Sequence, residues 1–222
     1  MKKLMIATIA MIFSFTSVSA EKGINIGVSG SLGGFTASAF ENEDKEQNPS
    51  KDAAGMVGFS SIFLEKTLGS RITVGVNYVP YDLESETAES TVADNGSNVI
   101  NSVQVDFADL TTAYVALNIS ESFFIKAGAM TVDMITNESL GTGSSYGNKK
   151  LDGTMYGAGY NHNFDSGLFF RAEMAVLEFD GAKATTTAAC VDAAGDGTCA
   201  VNQITMSGIN GATGSISIGK SF

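Results

Sequence analysis

A single histidine, His162, serves the whole chain of 222 residues, which leaves little room for histidine-based metal or acid–base chemistry. There are two cysteines, Cys190 and Cys199, and they have no nearby histidine to complete a zinc set. No metal and no cofactor is expected. Basic residues are also scarce: 13 Lys and Arg stand against 24 Asp and Glu. A chain with that balance does not bind nucleic acid through its phosphates, which demands a basic surface. Tryptophan is absent, and only 2 prolines occur. After residue 20 no apolar stretch is long enough for a membrane-spanning helix, which needs about 20 such residues.

The first twenty residues have a different character. Lys2 and Lys3 form a positive start, Leu4 to Phe15 is apolar, and Val18-Ser19-Ala20 supplies small residues before polar sequence begins at Glu21. This is the pattern of a secretory signal peptide. It divides the chain into a leader, 1–20, and a mature part, 21–222. Removing Lys2 and Lys3 takes the formal charge from −11 to −13. In an exported chain Cys190 and Cys199 are expected to form one disulfide that closes a short loop.

What is abundant is glycine, 25 residues of it, and apolar residues at period two. In Arg71–Tyr81, Ile72, Val74, Val76 and Tyr78 face one way, while Thr73, Gly75 and Asn77 face the other. That is a strand signature. Seven further segments follow the same rule, near 23–40, 54–64, 103–119, 123–134, 151–162, 168–179 and 204–222. The parity of 54–64 stays open, because Val57, Phe59 and Phe63 mix with Ile62 and Leu64. In 103–119, Asp109 shares the parity of Val103, Val105 and Phe107. Either a bulge resets the register near Ala108, or Asp109 sits at a rim.

The connections carry more information than the strands. Glu65–Ser70, Ser120–Ser122 and Asn163–Gly167 have hairpin length and turn composition. Glu41–Asp52, Asp82–Ser102, Ile135–Lys150 and Asp180–Gln203 are long. Short and long connections alternate strictly, as they do in a transmembrane barrel with short periplasmic turns and longer outer loops. The fold expected is all-β: an eight-stranded antiparallel up-and-down transmembrane β-barrel in the cell outer membrane.

The two faces of the strands support that reading. Leu168, Phe170, Ala172, Met174 and Val176 form an unbroken apolar stripe, with Phe169, Arg171, Glu173 and Ala175 behind it. Phe123, Ile125, Ala127 and Ala129 lie opposite Lys126. A lipid-facing Arg at the bilayer midplane costs about 2–4 kcal/mol, so the charges are expected inside. Lys126, Arg171, Glu173, Arg71 and Asp106 are the candidate lumen network. Gly153, Gly157 and Gly159 leave room for bulky neighbours across a narrow lumen. Phe63, Phe123, Phe164, Phe169 and Phe222 fall near the short turns and suit an interfacial girdle.

The last residues, Ile216-Ser217-Ile218-Gly219-Lys220-Ser221-Phe222, alternate and close on an aromatic. This resembles the terminal assembly signal of outer-membrane proteins, carried here by Ile216, Ile218 and Phe222, with Lys220 where the family usually has an apolar residue. The mature chain resembles the small outer-membrane barrels of the OmpA transmembrane-domain, OmpX, OmpW and opacity-protein type. The resemblance implies insertion by the barrel-assembly machinery and contact with membrane lipid and lipopolysaccharide. Two roles are then open. One is a structural or surface-interaction barrel with a side-chain-filled lumen. The other is a narrow porin-like channel, or an OmpW-like passage for small hydrophobic molecules. The four long connections hold 14 of the 24 acids against 5 lysines, which makes them candidates for divalent cations. An enzyme is not expected. Barrel hydrolases place a histidine near the outer rim, whereas His162 adjoins a short turn, and Phe164 stands where the deacylase pattern has a serine.

Overall fold

The computed structural model describes residues 23–43, 46–47, 51–94, 97–139, 146–185 and 203–222. Eight long strands run through it: β1 (Ile24–Glu43), β2 (Lys51–Leu68), β3 (Ile72–Tyr78), β4 (Ser97–Asn118), β5 (Phe123–Ser139), β6 (Lys149–Asn163), β7 (Leu168–Phe179) and β8 (Gln203–Ser221). Each pairs antiparallel with the next, and β8 pairs back onto β1 from Asn25↔Ser221 to Asn42↔Gln203. The sheet is therefore closed, and no barrel edge is left at the β1–β8 junction. The expected signal peptide, 1–20, and both cysteines of the expected disulfide lie outside the described residues.

The period-two pattern is what closes the wall. Side chains alternate between lipid and lumen along every strand. Outward residues are bare and apolar: Ile26, Val28 and Leu32 on β1, Ile125 on β5, Met174 and Val176 on β7, Ile216 and Ile218 on β8. Met174 is 76% exposed, while Phe169 on the same strand is 2% exposed. A soluble protein does not leave a continuous apolar belt of this kind in water. On β2 the open parity is resolved: Ser61, Phe63 and Glu65 are buried inward, and Ile62 faces out.

Three expectations need correction, two of them about connections. Glu65 is not in a turn. β2 continues to Leu68, Glu65 pairs with Asn25 and Gly75, and the turn is only 69–71. Asp82–Ser102 is not a plain loop, since Ala88–Asp94 pairs with Ser97–Val103 and Leu83–Glu84 with Phe107–Asp106. The connection is a two-stranded ribbon that prolongs β4. Third, Phe63 and Phe169 are not in an outer girdle: both rings lie in the lumen, whereas Phe123, Phe164 and Phe222 are exposed.

A bulge in β4 decides a further parity. Ala108 pairs with Asp133 but Thr111 pairs with Thr131, so β4 carries one extra residue. Asp109 takes it up at φ 55°, a left-handed conformation that aspartate tolerates better than most residues. Its carboxylate accepts a hydrogen bond from the Tyr78 hydroxyl at 2.8 Å.

Candidate functional site: the filled lumen

The lumen is the only place where charge is buried across several strands among the described residues. At its centre is Glu65, 1% exposed. Arg171 Nη1 and Nη2 donate to its two carboxylate oxygens at 2.6 and 3.0 Å. The Tyr114 hydroxyl donates to Oε1 at 2.7 Å, and Asn25 Nδ2 donates to Oε2 at 3.1 Å. Four donors saturate one carboxylate, the condition under which a buried charge is tolerated. A second pair, Lys126 Nζ and Glu173 Oε1, lies at 2.5 Å. Its lysine sits 4.4 Å above the Tyr114 ring. Two cations and two anions make the group neutral, and it is assembled from β1, β2, β4, β5 and β7.

Aromatic rings brace it. The Arg171 guanidinium lies 5.2 to 5.4 Å from the rings of Phe63, Phe124 and Phe169. Such contacts stabilise by ~0.5–2 kcal/mol, more when desolvated. Each ring rests on a glycine directly across the ladder: Phe63 on Gly27, Phe124 on Gly159, Phe169 on Gly219. Tyr114 rests on Gly75 in the same way. A Cβ at Gly27 would come within 2.3 Å of the Phe63 ring, and one at Gly219 within 2.4 Å of Phe169. The inward glycines of the lower lumen are seats for rings, not open space.

Toward the outer end the filling becomes apolar. Tyr114, Met130, Met155 and Leu177 form one layer. Val132, Leu151 and Ile209 form the next, with Phe35, Phe107, Leu110 and Phe179 packed against them. Between the charges and these layers a cavity of about 70 Å³ remains, walled on one side by hydroxyls. Ser29 and Ser217 share a hydrogen bond at 2.8 Å, and so do Ser31 and Ser215, across the β1–β8 junction.

The structure brings together Lys126, Arg171 and Glu173. It does not bring in Arg71 or Asp106. Arg71 is exposed in the turn 69–71 at the end of the barrel. Asp106 lies above the β4 bulge, which reverses parity: Phe107 packs inside, and Asp106 faces outward, where it accepts a hydrogen bond from Asn137. Sequence reasoning missed Glu65 and Tyr114. A signal was present, because Phe59, Ser61, Phe63, Glu65 and Thr67 continue one alternation opposite Ile62 and Leu64.

Among the described residues the wall has one break. β3 ends at Tyr78, opposite Ile62, and Pro80 follows. Among the described residues no backbone pairing joins Lys51–Ser61 to the chain beyond Tyr78, although Leu83–Glu84 and Ala88–Asp94 stay paired with β4. Instead, the Tyr81 hydroxyl accepts from the Ser60 N–H and also meets the Ser60 hydroxyl.

At the C-terminal end, Ile216 and Ile218 face lipid, and Phe222 is exposed beside the short turns. Lys220 also faces outward, and its Nζ reaches the Ser166 carbonyl at 3.4 Å. His162 is exposed and stacks edge-on against Phe164 at 4.7 Å.

No protein-family model matches the sequence, and no curated protein matches it. Solved structures do. The outer membrane protein OprG from Pseudomonas aeruginosa is similar over 91% of this chain and 98% of its own, with 12% identity and a TM-score of 0.53. The outer membrane protein AlkL in lipid bilayers is similar over 94% and 95%, with 10% identity and a TM-score of 0.53. These likenesses show the fold, that of a small outer-membrane β-barrel. Together with the apolar belt, it places the chain in the outer membrane.

Proposed function

We propose that this outer-membrane barrel is a non-enzymatic surface protein, whose plugged lumen serves as a rigid mount for acidic outer loops. The neutral group formed by Glu65, Arg171, Lys126 and Glu173 carries this reading. It blocks the lumen at one level, and two apolar layers block it again above. An ion entering would have to break a doubly hydrogen-bonded buried pair, which costs about 3–5 kcal/mol, and then cross side chains that offer it no ligands. Fold alone does not select a role, so the loops and their charge supply the rest: lipopolysaccharide, bridged by divalent cations, is the partner suited to them. The terminal strand, with Ile216, Ile218 and Phe222, is suited to the barrel-assembly machinery. Among the described residues His162 is exposed on the outer wall with its ring against Phe164, which supports an interfacial role.

Conductance of the refolded protein in a planar bilayer tests the plug, once heat-modifiable gel migration has shown that the barrel is folded. Absent or very small conductance is expected. Steady, well-resolved openings would overturn the reading and make the lumen a channel.

A second reading, passage of small hydrophobic molecules, is favoured by one observation. The unpaired edge of β2 at Lys51–Ser60 adjoins a lumen whose outer half is apolar. Under this reading a small arene added to the barrel in nanodiscs would shift the methyl signals of Met130 and Met155. Unchanged signals would remove it.

A further inference from the structure

The chain is strongly acidic, yet two lysines stand on its lipid-facing wall at the short-turn end. Lys66 on β2 is directly paired with Ile24, and Lys220 on β8 with Ile26. Both isoleucines belong to β1 and face lipid. The lysines therefore bracket β1 from its two sides, with α-carbons roughly 12 Å apart by strand spacing and rise. Extended lysine side chains close a gap of that size. Neither is in an ion pair: those among the described residues are Lys126–Glu173, Lys150–Asp133 and Arg171–Glu65, and the contacts of the Lys220 ammonium are the Ser166 carbonyl at 3.4 Å and the Phe222 ring at 6.0 Å.

A charged side chain on a lipid-facing wall is tolerated when its stem lies on apolar neighbours and its head reaches the interface. Both lysines meet that condition. Lys66 has Ile24 and Val74 beside it. Lys220 has Ile26 and Leu168, and its head has reached the level of the turn at Ser166. At the opposite rim the outward charges are mainly acids, Asp109, Asp133 and Glu178, with Lys150 already paired to Asp133. Along the strands the lipid-facing charges at the short-turn end are thus the two lysines, with the acids Glu121 and Asp165 confined to the turns themselves, whereas the loop rim is mainly acidic.

We infer that Lys66 and Lys220 together hold the phosphate of an anionic phospholipid of the periplasmic leaflet, with its acyl chains lying along Ile24, Ile26 and Val28. The occupant is a lipid and not free phosphate, because apolar wall continues directly from the two ammonium groups. The inference rests on the outer-membrane reading, with the short turns on the periplasmic side.

The test uses the full barrel refolded into phosphatidylcholine vesicles that contain spin-labelled phosphatidylglycerol. Flotation with the vesicles and heat-modifiable migration report insertion, so failure of the barrel reading is seen separately. The wild type should bind the labelled lipid about thirtyfold better than labelled phosphatidylcholine, since each of the two lysines contributes on the order of 1 kcal/mol near the surface. The Lys66→Gln/Lys220→Gln protein should lose the preference, and Lys66→Arg/Lys220→Arg should keep it. Lys51→Gln/Lys183→Gln, at the far rim, should leave it unchanged. Inorganic phosphate at millimolar concentration should not compete. A folded, inserted wild type with no preference, a preference that survives in the glutamine protein, or displacement by free phosphate would each overturn the site.

Discussion

Arg171 and Glu65 lie 106 positions apart in the chain and on strands far apart around the barrel, yet they share two parallel hydrogen bonds of 2.6 and 3.0 Å in the lumen. A planar guanidinium fits a carboxylate in this way, and a lysine does not. The pair ties β2 to β7 through the inside, where no backbone contact joins them.

Arg171→Leu leaves Glu65 buried without its main partner. Urea unfolding of the refolded barrel should register a loss of about 3–5 kcal/mol. Lys149→Leu, near the outer end of β6, should stay within about 0.5 kcal/mol of wild type. Removing both partners in Glu65→Leu/Arg171→Leu should recover much of the loss, because no orphaned charge remains. Equal effects of Arg171→Leu and Lys149→Leu would contradict a lumen network.

The ring seats can be probed with one residue type at two places. Gly27→Val drives a branched side chain into the space held by the Phe63 ring and should destabilise by roughly 1–3 kcal/mol. At Gly30, three residues on and on the opposite face of β1, a Cβ meets nothing within 4 Å. Gly30→Val points toward lipid and should be neutral or slightly stabilising. A matched pair of unfolding curves separates the two.

Tyr81→Phe removes the only acceptor that the structure gives the Ser60 N–H. Hydrogen exchange at Ser60 and along the free edge of β2 should accelerate, while exchange at Ile62, which β3 covers, should not. Unchanged exchange at Ser60 would mean that the Tyr81 hydroxyl does not seal the break.

Cys190 and Cys199 share one long connection in a chain whose first twenty residues are expected to be a secretory leader. Thiol labelling of the non-reduced protein should find no free thiol. Labelling of both cysteines would refute the disulfide.

The strand count, the closed barrel and the lipid face were legible because a half-buried strand writes its two environments into alternate residues. Leu168–Val176 needed no structure to be read. The network was legible only where its members sat inside a clean alternation, as Lys126, Arg171 and Glu173 do. Glu65 was hidden because its strand runs three residues past the point where turn-like composition begins. Asp106 was misplaced because one inserted residue, Asp109, exchanges inside for outside, and a bulge has no compositional mark strong enough to time that exchange. Tyr114 was hidden because a tyrosine in an alternating strand serves lipid interface and lumen equally well.

The four ring-and-glycine pairs are distributed one to a hairpin: Phe63 with Gly27 in β1–β2, Tyr114 with Gly75 in β3–β4, Phe124 with Gly159 in β5–β6, and Phe169 with Gly219 in β7–β8. Each hairpin can seat its own ring as soon as its two strands zip together, with no help from the rest of the chain. The charges cannot do this, since Glu65 and Arg171 belong to the first and last hairpins and meet only when the sheet curls round. Assembly of this lumen is thereby divided in time: local stacking comes early, and the Glu65–Arg171 contact marks the moment of closure.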